Sequence, residues 1–188
     1  FIEWYHQSLI RHVERMMELG NWSFSGEFAK ITLGIKIPGI HWQWKNTEIP
    51  RYAEITAGII SYSDKIKSGQ NFDSEVSGYE ELFAAVAKKQ KELARNIFVH
   101  FTALEMENEM EINKTSMAYT LVMSVAETAN KFGVTLCGEN ALQEVNAPYD
   151  IRTWEQIYKL FNTGLFSGFT LLRLTEQFWH TDKESLKA

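Results

Sequence analysis

Four short runs of apolar and β-branched residues alternate with stretches of helical periodicity, and this alternation constrains the fold more than any other feature. In "AKITLGIKIPGIHW", Ile31, Leu33, Ile35 and Ile37 share one parity, the period of a strand, before Pro38 and Gly39 end it. The other three runs are "NIFVHFT", the apolar start of "VTLCGENALQEVNAPYD", and "GFTLLRL". Between them lie helical stripes: Tyr79, Leu82, Phe83, Val86 and Leu93; Ala118, Leu121, Val122, Val125, Ala129 and Phe132; Trp154, Ile157, Tyr158 and Phe161. A first helix carries Ile2, Leu9, Ile10, Val13, Met16 and Met17, with Gly20 and Asn21 as its predicted stop, and a short helix is expected around Glu54 to Ile59. The turn-rich patch from Gly69 to Ser77 reads as loop. Strand and helix in alternation predict an α/β fold with a parallel sheet. The later strands recur roughly every 35 residues, the size of a βα unit in a (β/α)8 TIM barrel. A full barrel needs roughly 250 residues, so a half barrel of four units is expected. The rival, an open doubly wound sheet, would place a Gly-rich phosphate loop after its first strand, where "PGIHWQW" stands instead.

At 188 residues, 45% hydrophobic and 23% charged, the chain has the length and apolar content of one domain with a sizeable core. A net charge of -5 leaves no basic stripe to neutralise phosphates, so no nucleic-acid partner is expected. Cys137, alone, cannot form an internal disulfide, and no Cys/His cluster has zinc-ligand spacing. No apolar run approaches the roughly 20 residues of a membrane helix, so no membrane partner is expected. The sequence opens at Phe1 inside an amphipathic pattern and reads as cut from something longer. Sequons at Asn21 and Asn113 are too common by chance to carry an argument.

Polar residues gather at the carboxyl ends of the strands: Lys36 on the first, His100 and Thr102 on the second, Glu139 on the third, Arg173 on the fourth. Barrel enzymes build their active sites at that end. The adjoining "HWQWKN" supplies His41, Trp42 and Trp44, whose aromatic faces suit the C–H surface of a sugar. The alternative is that the tryptophans pack this long loop onto the sheet. Glu107, Glu109 and Glu111 read as a solvated acidic run, His6 and His12 as helix surface, His100 as a hydrogen-bonded core histidine, and Cys137 as filling. Asp150 and Glu155 look like capping groups.

The segments "IKIPGIHW", "FTALEME", "GENAL" and "LLRLTE", in that order and spacing, resemble β-amylases, inverting exo-hydrolases that release maltose from the non-reducing ends of α-1,4-glucans such as starch and glycogen. The resemblance implies that residues 1–188 are the C-terminal half of the catalytic barrel, about its last four βα units. It further implies that Glu139 is the general base, that Lys36 and His41 hold sugar on the product side, and that Thr102 settles the leaving end of the substrate. Asn140 and Ala141 would be further sugar contacts, and Arg173 a basic ligand near the cleavage site. An inverting glycosidase holds acid and base roughly 6.5–9.5 Å apart. The family's acid lies in an earlier motif like "GELRYPSYP", absent here, so the acid is expected in a missing N-terminal half. Glu105 is assigned to positioning its loop. The chemistry requires no cofactor and no metal. The chain alone is expected to be inactive, with two exposed sheet edges inviting association. A non-catalytic, glucan-binding or regulatory barrel is the alternative. Family analogy suggests secretion, with plastid and cytoplasm as open alternatives.

Overall fold

The four apolar runs lie side by side as β1 (Leu33–Lys36), β2 (Ile97–Phe101), β3 (Thr135–Glu139) and β4 (Gly168–Thr170), one parallel sheet in the order β1-β2-β3-β4. The computed structural model describes residues 1–42, 44, 51–60, 78–108, 116–141 and 151–172. Helices α1 (Ile2–Ser23), α2 (Tyr52–Ala57), α3 (Gly78–Leu93), α4 (Ala118–Phe132) and α5 (Ile151–Asn162) precede or separate the strands, with a 3-10 turn at Gly26–Phe28. Parallel neighbours need crossover connections, which are right-handed in nearly all proteins. With each strand beside the next and no reversal of order, those crossovers lay the helices on one face. A doubly wound sheet would reverse. The chain is therefore α/β with the winding of a barrel arc, and β1 and β4 are the edges of the described sheet.

One parity of the strands makes the core. Leu33, Ile97, Val99, Phe101 and Leu136 are buried against Phe83 and Val86 of α3 and Leu121, Val122 and Val125 of α4. The opposite parity carries Lys36, Phe98, His100, Thr135, Cys137 and Glu139, of which only Glu139 is buried. The entry into β3 is set by Gly133, whose φ of 66° closes α4. Val134 N–H then reaches back to the Ala129 carbonyl at 2.9 Å and Gly133 N–H to that of Asn130 at 3.1 Å, turning helix into strand within two residues.

The first helix runs past its expected stop, through Gly20 and Asn21 to Ser23, and Phe24 N–H caps the Gly20 carbonyl at 2.9 Å. Gly20 lies within α1, where a Cβ would stand 3.6 Å from Leu33 Cδ1, an ordinary contact. Met16, on the predicted apolar stripe, is exposed, while His6, read as surface, is buried. Position 6 lies one helical step before Ile10, on the stripe that continues through Val13 to Met17. Its Nδ1 donates to the Gly58 carbonyl at 2.8 Å and its Nε2 meets the Glu81 carboxylate at 3.1 Å, joining α1 to the ends of α2 and α3. His12 is exposed, as read. The Gly69–Ser77 patch, Glu109, Glu111, Asn113 and Asp150 lie outside the described residues. Among those described, no helix is long and apolar enough to cross a membrane.

At the amino end of the sheet, buried Arg95 gathers the chain ahead of β1. Its guanidinium donates to the carbonyls of Phe24 at 2.7 Å, Phe28 at 2.8 Å and Ile31 at 2.8 Å, and to Asn21 Oδ1 at 3.2 Å.

Candidate active site

Register builds the site. Lys36 pairs with His100 and His100 with Cys137, so these side chains share a level and a face; Glu139 stands one step further along that face. Its carboxylate meets both neighbours: Lys36 Nζ is 2.7 Å from Oε1, and His100 Nε2 is 3.1 Å from Oε2. Glu139 is only 5% exposed. An ionised carboxylate buried so deeply needs compensating positive charge, and Lys36 provides it. The two partners differ in access, the Lys36 side chain being 61% exposed and that of His100 15%.

The main chain around Glu139 is held from several sides. Bare Gly138 lets Leu104 close over β3, because a Cβ there would fall 2.3 Å from Leu104 Cδ1. Leu104 N–H donates to the Glu139 carbonyl at 3.2 Å. The turn that delivers Leu104 places Ala103 at φ 65°, a left-handed conformation costly for alanine. Gln156 of α5 steadies that turn, its amide donating to the carbonyls of Leu104 at 2.9 Å and Met106 at 2.6 Å. Fully buried Glu105 accepts the Ala141 N–H at 2.8 and 3.1 Å, which agrees with a loop-positioning role. Asn140, also fully buried, accepts Leu172 N–H at 2.6 Å through Oδ1, and its Nδ2 faces the Leu172 carbonyl at 3.4 Å. Tyr79 of α3 holds the segment after β1: its hydroxyl donates to the Pro38 carbonyl at 2.7 Å and accepts Ile40 N–H at 3.2 Å. Burial drives Tyr79 ionisation far upward, so it acts as a neutral phenol.

The residues singled out from sequence separate into groups. Glu139 and Lys36 are in contact. Thr102 follows β2 directly, half-buried, and closes on Gly39, where a Cβ would stand 2.7 Å from Thr102 Cγ2. His41 is half-buried, edge-on to the more exposed Trp42 at 5.9 Å between ring centroids, whereas Trp44 packs into the core. Asn140 and Ala141 are engaged through Leu172 and Glu105. Arg173 lies outside the described residues. His100, read as a core histidine, instead abuts Glu139. The signal for it was its parity, shared with Lys36 and Glu139 once the strands pair. Tyr79 was read only as a helix position, and Gln156 carried no sequence signal. Cys137 is half-buried, and burial pushes its thiol up, keeping it protonated. Among the described residues, no group of three or more His, Cys, Asp or Glu could hold a metal ion.

A buried carboxylate at a strand end, flanked by basic groups, can serve as a proton acceptor, and similarity to known proteins names its setting. The model of Glycosyl hydrolase family 14 matches residues 1–185. The chain belongs to that family. This family 14 chain is 33% identical over 173 residues to a β-amylase of Bacillus cereus, covering 92% of the chain and 27% of that protein. It is 29% identical over 159 residues to a β-amylase of Medicago sativa, covering 84% of the chain and 27% of the relative. Among solved structures, the catalytic domain of β-amylase from Paenibacillus polymyxa matches with a TM-score of 0.69 at 28% identity, covering 93% of this chain and 35% of that one. The family 14 chain thus spans little more than a quarter of the length of these curated relatives.

Proposed function

We propose that this chain carries the general-base side of a β-amylase active site, and that the full-length protein hydrolyses α-1,4-glucans such as starch or glycogen from their non-reducing ends, releasing maltose with inversion. The observation that carries the reading is Glu139: a carboxylate nearly closed to solvent, at the carboxyl end of a parallel strand, matched by an exposed lysine amine. Its oxygens each have two lone pairs, so Oε1 can take a proton from water even with a donor beside it. That water attacks the anomeric carbon while an acid outside this chain, roughly 6.5–9.5 Å from Glu139, protonates the leaving oxygen. Lys36, His41, Thr102, Ala141 and Arg173 contact sugar in this reading, and Asn140 contributes through the loop it fixes. The reaction needs no cofactor.

The test is maltose release from soluble starch by the full-length protein and by its Glu139→Gln variant, with the anomer followed by NMR. The reading expects β-maltose from the first and a loss of roughly 10²–10⁴-fold in the second. Equal rates would remove Glu139 from the mechanism. Glucan binding with no release by either protein would favour a regulatory barrel.

A further inference from the structure

We infer that His100 is a positioning residue for the base, holding the Oε2 side of Glu139 through its Nε2–H while Lys36 is free to turn toward substrate. This rests on the reading of Glu139 as the base. The two basic groups on that carboxylate are built differently. Lys36 ends β1 on a long stem, its side chain 61% exposed, and can leave Oε1 without uncovering core. His100 sits on β2 between β1 and β3, its side chain 15% exposed and its ring edge-on to Phe98 with centroids 6.5 Å apart. One group is removable and the other fixed.

Proton placement follows from the contact. An ionised carboxylate only accepts. At 3.1 Å an unprotonated Nε2 would set lone pair against lone pair, so the contact selects a proton on that nitrogen. The groups facing His100 across the sheet are Lys36 from β1 and Cys137 and Glu139 from β3, while the helices lie on the other face. Cys137 remains a neutral thiol because burial raises its ionisation. Glu139 is then the single anion facing the ring among the described residues, and a hydrogen bond donated from Nε2 favours the ionised, water-activating form of the carboxylate.

The experiment compares pH profiles of kcat/KM on soluble starch for the full-length protein, His100→Gln and His100→Ala, with Glu139→Gln as reference and circular-dichroism melts as a folding control. Glutamine keeps a donor at the reach of Nε2. His100→Ala is expected to lower kcat by about tenfold or more with KM changed less than about twofold, as loss of positioning would do. His100→Gln is expected to recover most of kcat and to keep the acid limb, which reports the free base, near its original pH, whereas in His100→Ala, where the donor to the carboxylate is lost, that limb should move to higher pH. An acid limb unmoved in His100→Ala, with Glu139→Gln inactive, overturns the inference, as does an unchanged kcat in His100→Ala. Should His100→Ala fail to fold, His100→Gln decides alone: a kcat lowered about tenfold or more in the folded glutamine variant overturns the inference. Full activity in Glu139→Gln would instead bring down the reading of the base itself.

Discussion

The two ends of the sheet handle buried charge in opposite ways. At the amino end, Arg95 directs its guanidinium into main-chain carbonyls of Phe24, Phe28 and Ile31 and the side chain of Asn21. Those acceptors cannot titrate or depart, so the charge there is purely architectural, tying the end of α1 and the 3-10 turn to the start of β2. At the carboxyl end, Glu139 is matched by side chains, one of them mostly in solvent. A charge balanced by a removable partner can be uncovered when a ligand arrives. The architectural charge and the proposed base thus lie at opposite ends of the sheet, the division expected of a βα barrel.

The sharpest test of that division is Glu139→Gln. It should lower turnover by roughly 10²–10⁴-fold while the melting temperature stays nearly constant, read by starch hydrolysis beside calorimetry. Arg95→Ala should do the reverse. Losing charged hydrogen bonds and leaving several carbonyls without their donor should cost about 3 kcal/mol in urea denaturation, with activity per folded molecule retained at low temperature. If Arg95→Ala reduced turnover of the folded fraction as much as Glu139→Gln, the separation of ends would be broken. Gly138→Ala probes where the two roles meet, because its Cβ collides with Leu104, which also bonds the Glu139 carbonyl. A loss of about 2 kcal/mol is expected, accompanied by a fall in kcat. Tyr79→Phe is the mildest: removing the hydroxyl between Pro38 and Ile40 should cost about 1 kcal/mol by thermal melting and raise KM modestly, through the segment leading to His41.

Much of the frame was legible because it rests on local periodicity. The shared parity of Leu33 and Ile35 and the stripe from Leu121 to Ala129 mark β1 and α4, and the strand-end position of Glu139 is itself a sequence feature. What escaped depends on residues distant in the chain. The partners of His6 lie 52 and 75 positions away, so no helical pattern could distinguish it from surface. Gly20 has the composition of a helix stop, yet α1 continues through it to Ser23. Arg95 carries no signature because its acceptors are backbone groups. His100 was read within its own strand, whereas its environment comes from the two strands beside it. For Trp44, either packing or sugar contact was open, and burial in the core favours packing.

Asn140 offers Leu172 a carboxamide much as a neighbouring strand offers a peptide group. Ladder pairing between β3 and β4 runs to Glu139 and Thr170, and this one side chain carries the spacing beyond it. The distance between residues 140 and 172 is consequently held in part by an amide arm. Extending that arm by one methylene, as glutamine would, should move these two positions apart.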